Sequence, residues 1–278
     1  MCISGACAVA VAAEFTVQAS VSAKPIADRV LPAFATSPGG FKISGKIGDT
    51  AKVIDAVATG VVPLGLITRN VKALDREQAP DLTGTPVGLD EIVLAVPSSN
   101  PITNLSVDQV RSIWTGAILN WKEVGGPDLA IVFIGRPKAY DTIQLFCDFM
   151  KLDARPDEGG QVYRPKGREA WSGKVAAAPA TDDQALAILS ATPGAITYFP
   201  VEILRRYQAR GAVVKGVLLD GVEPTPKHIA DGSYFIHRTV NVVTQGPPVG
   251  PARALVDFFL TPEGQRLVVD AGFLGYTP

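Results

Sequence analysis

Apolar runs alternate with amphipathic segments along most of the chain. Residues Ile26, Val30, Leu31 and Phe34 recur at helical spacing directly after the apolar run 15–19, which predicts a strand followed by a helix. The same order recurs downstream: we predict strands at 41–44, 61–67, 91–96 and 131–134, and helices at 49–58, from 142 and from 182. The segments 213–219 and 234–244 are expected to return the chain toward the first of two lobes. Strands that alternate with helices are typical of right-handed βαβ units in a mainly parallel sheet, and therefore of the α/β class.

One short helix is especially well marked in the middle of the chain. Ser106 and Gln109 have the spacing of a capping box, and Val110, Ile113 and Trp114 form one apolar helical face. The apolar run 131–134 then predicts a short strand buried on both faces. That strand would deliver Arg136 at its carboxyl end, the edge of an open α/β sheet where ligands bind.

The remaining part of the chain has weaker patterns. We predict a polar stretch through Lys174, with a solvated loop at 166–168, and one final amphipathic helix over 252–271. The segment 97–101, which is bounded by prolines, is predicted to cross between two lobes.

Composition excludes some classes of function. The chain has 278 residues, 47% of them hydrophobic, which is enough for one large or two medium cores. Lys and Arg total 26 against 27 Asp and Glu, so the chain has no overall positive field with which to hold nucleic acid or an anionic membrane. A charged ligand must therefore be bound by individual charged or polar groups at its site.

Residues 1–13 are apolar and small and end in Val-Ala-Ala before Glu14, which fits a signal-peptidase site. We interpret 1–13 as the remnant of a signal peptide whose start is truncated, which predicts export to the periplasm; a buried N-terminal strand is the alternative. Cys2 and Cys7 would leave with that segment. The remaining Cys147 is predicted to be a core residue because Phe146 lies beside it.

Features that could indicate nucleotide, metal or nucleic-acid binding do not fit their context. Residues 40–46 have the spacing of a P-loop, but Ile47 occupies the position of the magnesium-binding Ser or Thr, and the segment is predicted to be a strand. The two histidines, His228 and His237, with one interior cysteine do not make a metal cluster, so we expect no metal and no cofactor. Tryptophans without a basic stripe are expected to be packing residues: Trp114, Trp121 and Trp171.

Four segments resemble a known family and stand in the order that family shows: NPITNLSVDQVRSIWTGAILNWKEVGGPDLAIVFIGR, ATPGAITYF, LLDGVEPTPKHIADGSY and FFLTPEGQRLVVDAGF. They are similar to the phosphate-binding solute receptors of bacterial ABC importers, which have the type II periplasmic-binding-protein fold. The resemblance implies two lobes of mainly parallel sheets flanked by helices, joined by two crossing segments. Lobe 1 would comprise 14–96 and 229–278, and lobe 2 would comprise 97–228. It also implies a monomer that is not an enzyme and that delivers an anion from an interlobe cleft to a membrane ABC permease or sensor.

Matching the family's binding loops to this chain gives a set of candidate ligand-binding residues. They are hydroxyl, glycine or arginine positions at strand ends and helix starts: Ser20, Ser22, Gly48, Thr50, Thr68, Arg69, Arg136 and Thr142. Helix N-termini with unpaired N–H groups suit a dehydrated anion, and hydroxyls complete its hydrogen bonds. Tyr140 and Asp141 stand where the family has serine and glycine, and we include both as candidate contacts.

The departures from the family pattern bear on the ligand. Asp141 followed by Gln144 is itself a capping box, so the Asp141 carboxylate is predicted to compete with the anion for helix amides, and Asp49 before Thr50 is predicted to do the same. Their negative charge could be offset by the cations Lys24, Arg69 and Arg136.

Two other interpretations of these residues stay open. Both aspartates could be helix caps alone, with Arg136 as their salt-bridge partner. They could instead accept a proton-bearing oxygen, a hydroxyl or an amine of an organic ligand, for which Tyr140 would be suitable unless it is simply an exposed loop residue.

Three functions follow from these patterns. The first is an exported solute-binding protein for phosphate, a related oxyanion or a small organic acid. The alternative is an interaction or signalling module of the same fold that has lost or altered its ligand. The third, an exported phosphate-ester hydrolase, lacks a visible nucleophile and base pair.

Overall fold

The computed structural model describes residues 14–37, 41–136, 141–158, 160–171 and 177–277. The predictions for residues 1–13, including the signal peptide with Cys2 and Cys7, and for Tyr140 lie outside the described residues.

The strands are β1 (Glu14–Ser20), β2 (Lys42–Gly48), β3 (Leu64–Ile67), β4 (Leu82–Pro97), β5 (Asn104–Leu105), β6 (Val132–Phe133), β7 (Leu152–Asp157), β8 (Gly160–Pro165), β9 (Ala195–Pro200), β10 (Val214–Leu219) and β11 (His237–Gln245). The helices are α1 (Lys24–Ala35), α2 (Thr50–Ala58), α3 (Ala73–Gln78), α4 (Val107–Trp114), α5 (Asp141–Met150), α6 (Asp182–Ala191), α7 (Val201–Ala209), α8 (Pro226–Ala230), α9 (Gly250–Phe259) and α10 (Pro262–Asp270). None of the helices among the described residues is long and apolar enough to cross a membrane.

The chain divides into two compact units. Unit 1 runs to Val87 and resumes over Asn241–Val268, and unit 2 comprises Gly88–Val240 and Val269–Tyr276. The boundaries between the units after Val87 and after Val240 therefore lie inside β4 and β11. The lobe boundaries expected from the resemblance, after residues 96 and 228, stay a prediction.

Unit 1 contains a parallel arrangement of β2, β1 and β3, with β11 antiparallel to β3. Side chains of α1 cover one face of this sheet. The four apolar residues that predicted the helix, Ile26, Val30, Leu31 and Phe34, are all buried. The predicted parallel βαβ organisation is confirmed in this unit.

Unit 2 has a mixed sheet. β4 is antiparallel to β9 and to β10, β6 is parallel to β9, and β5 is parallel to β10. The large core of this unit packs aromatic residues together: Phe146 stacks on Tyr198 with ring centroids 4.5 Å apart, and Trp114 lies against Phe146.

Helix α4 confirms the predicted capping box. The Gln109 N–H donates to Ser106 Oγ over 3.1 Å, and the Ser106 N–H donates to Gln109 Oε1 over 2.8 Å. Val110, Ile113 and Trp114 are buried, as their spacing predicted.

The strand predicted at 131–134 is shorter and less buried than expected. Only Val132–Phe133 forms a strand, and Val132 is 38% exposed, so the prediction of burial on both faces was wrong. Side chains alternate across a strand, and Val132 faces away from the core that Ile131 and Phe133 enter.

The predicted single helix over 252–271 was also wrong, because the chain breaks between α9 and α10. Pro262 cannot continue a helix, and the Thr261 hydroxyl accepts a hydrogen bond from the Gly264 N–H over 3.0 Å at the start of α10. A Cβ at position 264 would lie 2.1 Å from the Phe258 carbonyl oxygen, so this turn of the chain requires glycine.

The stretch predicted to be polar through Lys174 contains a hairpin instead. β7 and β8 pair antiparallel, and Leu152, Val162 and Tyr163 are buried. The loop predicted at 166–168 is confirmed, since the Arg168 N–H closes a turn onto the Pro165 carbonyl.

Several single-residue predictions are confirmed. Cys147 is a buried free thiol, Trp114 and Trp121 are buried, and Lys46 lies within strand β2 rather than in a phosphate-binding turn. The Trp171 ring packs against the guanidinium groups of Arg155 and Arg164, whose central carbons each lie 4.5 Å from the ring centroid.

Candidate functional site

The carboxyl ends of three parallel strands in unit 1 bring candidate residues together. Ser20 ends β1 and lies opposite Gly48, which ends β2, and Thr68 follows β3. The Val21 N–H donates to the Gly48 carbonyl over 3.0 Å, which joins the first two strand ends. Ser20 and Thr68 are both fully buried, so their hydroxyls lie inside the unit.

The loop after β1 folds into the start of α1. The Ser20 hydroxyl oxygen accepts a hydrogen bond from the Ala23 N–H over 3.2 Å, and Ser22 is half-buried beside it. Ala23, the residue that caps α1, has no side-chain oxygen to offer the helix. The first turn of α1 therefore takes no side-chain cap.

Asp49 caps α2, as predicted. Its Oδ1 accepts the Lys52 N–H over 2.9 Å, and its other oxygen lies 3.4 Å from Lys52 Nζ. The backbone hydrogen bond from Lys52 lowers the pKa of the Asp49 carboxyl below its usual range. Thr50 is the first residue of the helix, so a negative charge already occupies the helix start that the resemblance assigns to an anion.

Gly48 precedes this cap and lies close to a polar side chain. A Cβ at position 48 would come within 3.1 Å of Gln18 Nε2. A larger residue there would therefore push on Gln18 at the end of β1.

Arg69 binds a carboxylate of its own unit. Its Nη1 lies 2.6 Å from Asp75 Oδ2 and its Nη2 lies 3.0 Å from Asp75 Oδ1, a bidentate pair. Asn241 of β11 donates to the Arg69 carbonyl over 3.0 Å. Lys24 likewise forms an ion pair with Asp28, one turn further along α1.

Arg136 in unit 2 is also paired. Its Nη2 lies 2.7 Å from Asp182 Oδ1 and donates to the Tyr198 carbonyl over 3.2 Å, while Nη1 donates to the Thr181 carbonyl over 3.2 Å. The guanidinium carbon lies 4.9 Å from the centre of the Phe199 ring. The Arg136 side chain is only 3% exposed.

All three cations expected to offset Asp49 and Asp141 are thus engaged by other aspartates. Among the described side chains, Arg136 forms its ion pair with Asp182, and the interpretation that pairs Arg136 with Asp49 and Asp141 stays a prediction. Asp182 was not a candidate from the sequence, because it lies far along the chain from Arg136. The sequence showed only that Thr181 precedes two acidic residues at the start of a predicted helix, which does not reveal a contact with Arg136.

Helix α5 begins at Asp141, and Thr142 is half-buried in its first turn. The structure describes the backbone of Asp141 but not its side chain. The prediction that Asp141 caps this helix therefore stays a prediction. The Gln144 side-chain amide donates to Asp148 over 2.9 Å.

The candidates fall into two sets, one in each unit. Unit 1 holds Ser20, Ser22, Gly48, Thr50, Thr68 and Arg69, and unit 2 holds Arg136, Asp141 and Thr142. Each set offers hydroxyls and guanidinium N–H donors, the groups that bind an oxyanion. Within the described ranges, no three His, Cys, Asp or Glu side chains gather as potential metal ligands.

The chain belongs to the PBP superfamily, since the family model described as the PBP superfamily domain matches residues 8–263. This is a class of solute-binding receptors and not a class of enzymes. Two curated relatives carry the description phosphate-binding protein PstS. The Bacillus subtilis protein is 26% identical over 268 residues, covering 94% of this chain and 80% of the relative, and the Borreliella burgdorferi protein is 22% identical, covering 92% and 88%.

Solved structures show the same fold. An ABC-type phosphate transport receptor from Vibrio cholerae superposes with a TM-score of 0.75 at 19% identity, covering 95% of this chain and all of that chain. A putative phosphate ABC transporter substrate-binding protein with bound phosphate from Clostridium perfringens gives 0.69 at 23% identity, covering 95% and all of that chain. The predicted type II periplasmic-binding-protein fold is therefore confirmed.

Proposed function

We propose that the protein is an exported solute-binding protein that captures phosphate or a related small oxyanion for an ABC importer or sensor. The observation that carries this proposal is similarity over nearly the whole chain to proteins described as phosphate-binding. The hydroxyls of Ser20 and Thr68 at adjoining strand ends support it, because neutral donors can hold an oxyanion removed from water.

In this proposal the protein is a periplasmic monomer. Its mature chain would begin near Glu14 after cleavage of the signal peptide, and its partner would be a membrane permease or sensor protein. The ligand-binding residues would be those named in the two sets, with Tyr140 as a further contact. Intact mass of the exported protein tests the start, and gel filtration with light scattering tests the monomer.

Ligand binding is tested by thermal shift and titration calorimetry with inorganic phosphate, sulfate and small organic acids. A ligand that binds only the folded state raises the melting temperature in proportion to the logarithm of its concentration. We expect phosphate or a related oxyanion to give such a shift. If no anion in the series does so with folded protein, anion capture is the wrong function.

Arg136 offers a sharper test because the chain contains a matched arginine. Arg111 also bonds a backbone carbonyl, that of Met150, and an aspartate, Asp108. Met150 ends α5, at the opposite end of that helix from Thr142. Arg136→Gln should weaken anion binding roughly tenfold to hundredfold, the equivalent of about 1.5 to 3 kcal/mol for a charge-assisted contact. Arg111→Gln should leave affinity unchanged.

A second candidate function is a module of the same fold with an altered, organic ligand. The cap by Asp49 favours it, since that carboxylate already accepts the Lys52 N–H at the start of α2. Binding of an organic acid or a polar organic molecule in the same thermal-shift series, without a response to phosphate, would decide for this alternative.

A further inference from the structure

Arg136 is fixed from two sides before any ligand reaches it. A guanidinium has five N–H donors, and the contacts with described residues use three of them. The Thr181 carbonyl and Asp182 belong to the start of α6, while the Tyr198 carbonyl belongs to β9. Little side-chain freedom is left for a ligand to restrict when it binds Arg136.

Asp182 is held in place by its own helix. The Thr181 hydroxyl caps α6 by accepting the Gln184 N–H over 3.1 Å, so the first turn is fixed. Asp182 is the first residue of that helix, where the positive end of the helix dipole favours a carboxylate. Its position therefore does not depend on Arg136 alone.

Two other carboxylates, Asp183 and Asp90, act on Asp182 electrostatically, and each has its own partner. Asp183 accepts a hydrogen bond from the Tyr207 hydroxyl over 2.8 Å on α7. Asp90 of β4 forms an ion pair with Arg238 of β11 at 2.7 Å. Burial raises the pKa of Asp182, Asp183 and Asp90 act in the same direction, and Arg136 opposes them.

We propose that Asp182 is a positioning residue of the anion site, which holds the Arg136 guanidinium against β9 and cancels part of its positive charge. This inference rests on the proposed function and names the charge preference of the site. An anion that contacts Arg136 also meets the Asp182 carboxylate at short range, and their repulsion grows with the charge of the anion. The site therefore discriminates against doubly charged oxyanions relative to singly charged ones.

Asp182→Asn tests this directly, because asparagine keeps an oxygen that can accept from Arg136 and removes only the charge. The matched control is Asp183→Asn, which makes the same change of charge one residue away, at a side chain bonded to Tyr207. Affinity for inorganic phosphate is measured by calorimetry near pH 8, where the probe is mainly doubly charged, and near pH 5.5, where it is mainly singly charged. Circular dichroism and melting curves establish that each variant is folded.

We expect Asp182→Asn to bind phosphate about fivefold tighter than the unmodified protein near pH 8, a gain that shrinks to about twofold or less near pH 5.5. The decline has two causes: the ligand loses charge, and the raised pKa brings Asp182 closer to its own neutralisation. Asp183→Asn should bind phosphate with the same affinity as the unmodified protein at both pH values. Asp182→Glu, which keeps the charge, should not share the gain.

The proposal would be overturned if Asp183→Asn gained as much phosphate affinity as Asp182→Asn. It would also be overturned if Asp182→Asn gained equally at both pH values, or did not gain at all. If Asp182→Asn does not fold, Asp182→Ser removes the same charge and carries the same expectation. If the folded, unmodified protein binds neither phosphate nor any other anion of the thermal-shift series, the proposed function is refuted and this inference falls with it. Binding by the unmodified protein with no change in Asp182→Asn would refute this inference alone.

Discussion

Arg69 and Asp75 form a two-point ion pair in which both guanidinium Nη atoms contact the same carboxylate, at 2.6 and 3.0 Å. The Lys72 N–H also donates to Asp75 over 2.7 Å. This carboxylate therefore holds Arg69, which lies in the segment after β3, against the start of α3. An arginine expected to serve a ligand is thus first a structural residue.

Asp75→Asn should destabilise the protein near neutral pH by about 1 to 3 kcal/mol, because it breaks hydrogen bonds to a charged group. Burial raises the pKa of Asp75, but the bonds from Arg69 and Lys72 outweigh it, and the net pKa is lowered. The stabilisation is therefore present above the ordinary aspartate pKa and is lost as the pH falls through the lowered value. Urea unfolding from neutral to acidic pH should show the variant and the parent converging in acid. Glu77→Gln, an exposed change on the same helix, should track the parent throughout.

Asp49→Ser should separate the capping role of Asp49 from its charge. Serine still accepts the Lys52 N–H, so thermal stability should change little, while removal of the negative charge should raise phosphate affinity. Asp49→Ala removes both properties and should lower the melting temperature. Weaker phosphate binding by Asp49→Ser would show that the carboxylate accepts a ligand group rather than competing with one.

Glu91→Gln should flatten the dependence of stability on pH. Glu91 is 1% exposed, and its carboxyl oxygens have no hydrogen-bond partner among the described residues. Burial raises the pKa of Glu91 well above its usual value, with Asp90 and Glu202 adding to the effect. A raised pKa gives full stabilisation below the ordinary glutamate pKa and loses it as the pH rises through the folded value.

The parent should therefore lose stability relative to Glu91→Gln between acidic and neutral pH, which urea unfolding at several pH values measures. Glu263→Gln, an exposed change in α10, is the matched control. Parallel pH profiles for the parent and Glu91→Gln would contradict a raised pKa of Glu91 in the folded protein.

Native Cys147 should resist thiol reagents. The side chain is buried, and burial raises its pKa to about 12, so little reactive thiolate forms near neutral pH. Labelling with a maleimide should be slow in buffer and rapid in denaturant, as followed by intact mass. Fast labelling of the folded protein would place Cys147 at an accessible surface.

The amino-acid sequence by itself determined those features whose partners lie within one or two helical turns. The box between Ser106 and Gln109 and the cap of α2 by Asp49 are of this kind, because the interacting groups are three residues apart in the chain. The apolar face of α1 was equally visible, since helical spacing alone decides which side chains share a face.

Only the tertiary structure decided which charges meet. Arg136 and Asp182 are brought together by the packing of α6 beside β9, and no local pattern reports that approach. The hairpin of β7 and β8 was missed because its strands contain charged residues on their exposed side, while the burial of Tyr163 depends on the aromatic core of unit 2. The break before α10 is different, because it follows from local features that the apolar periodicity over 252–271 obscured: Pro262 cannot continue α9, and Thr261 caps α10.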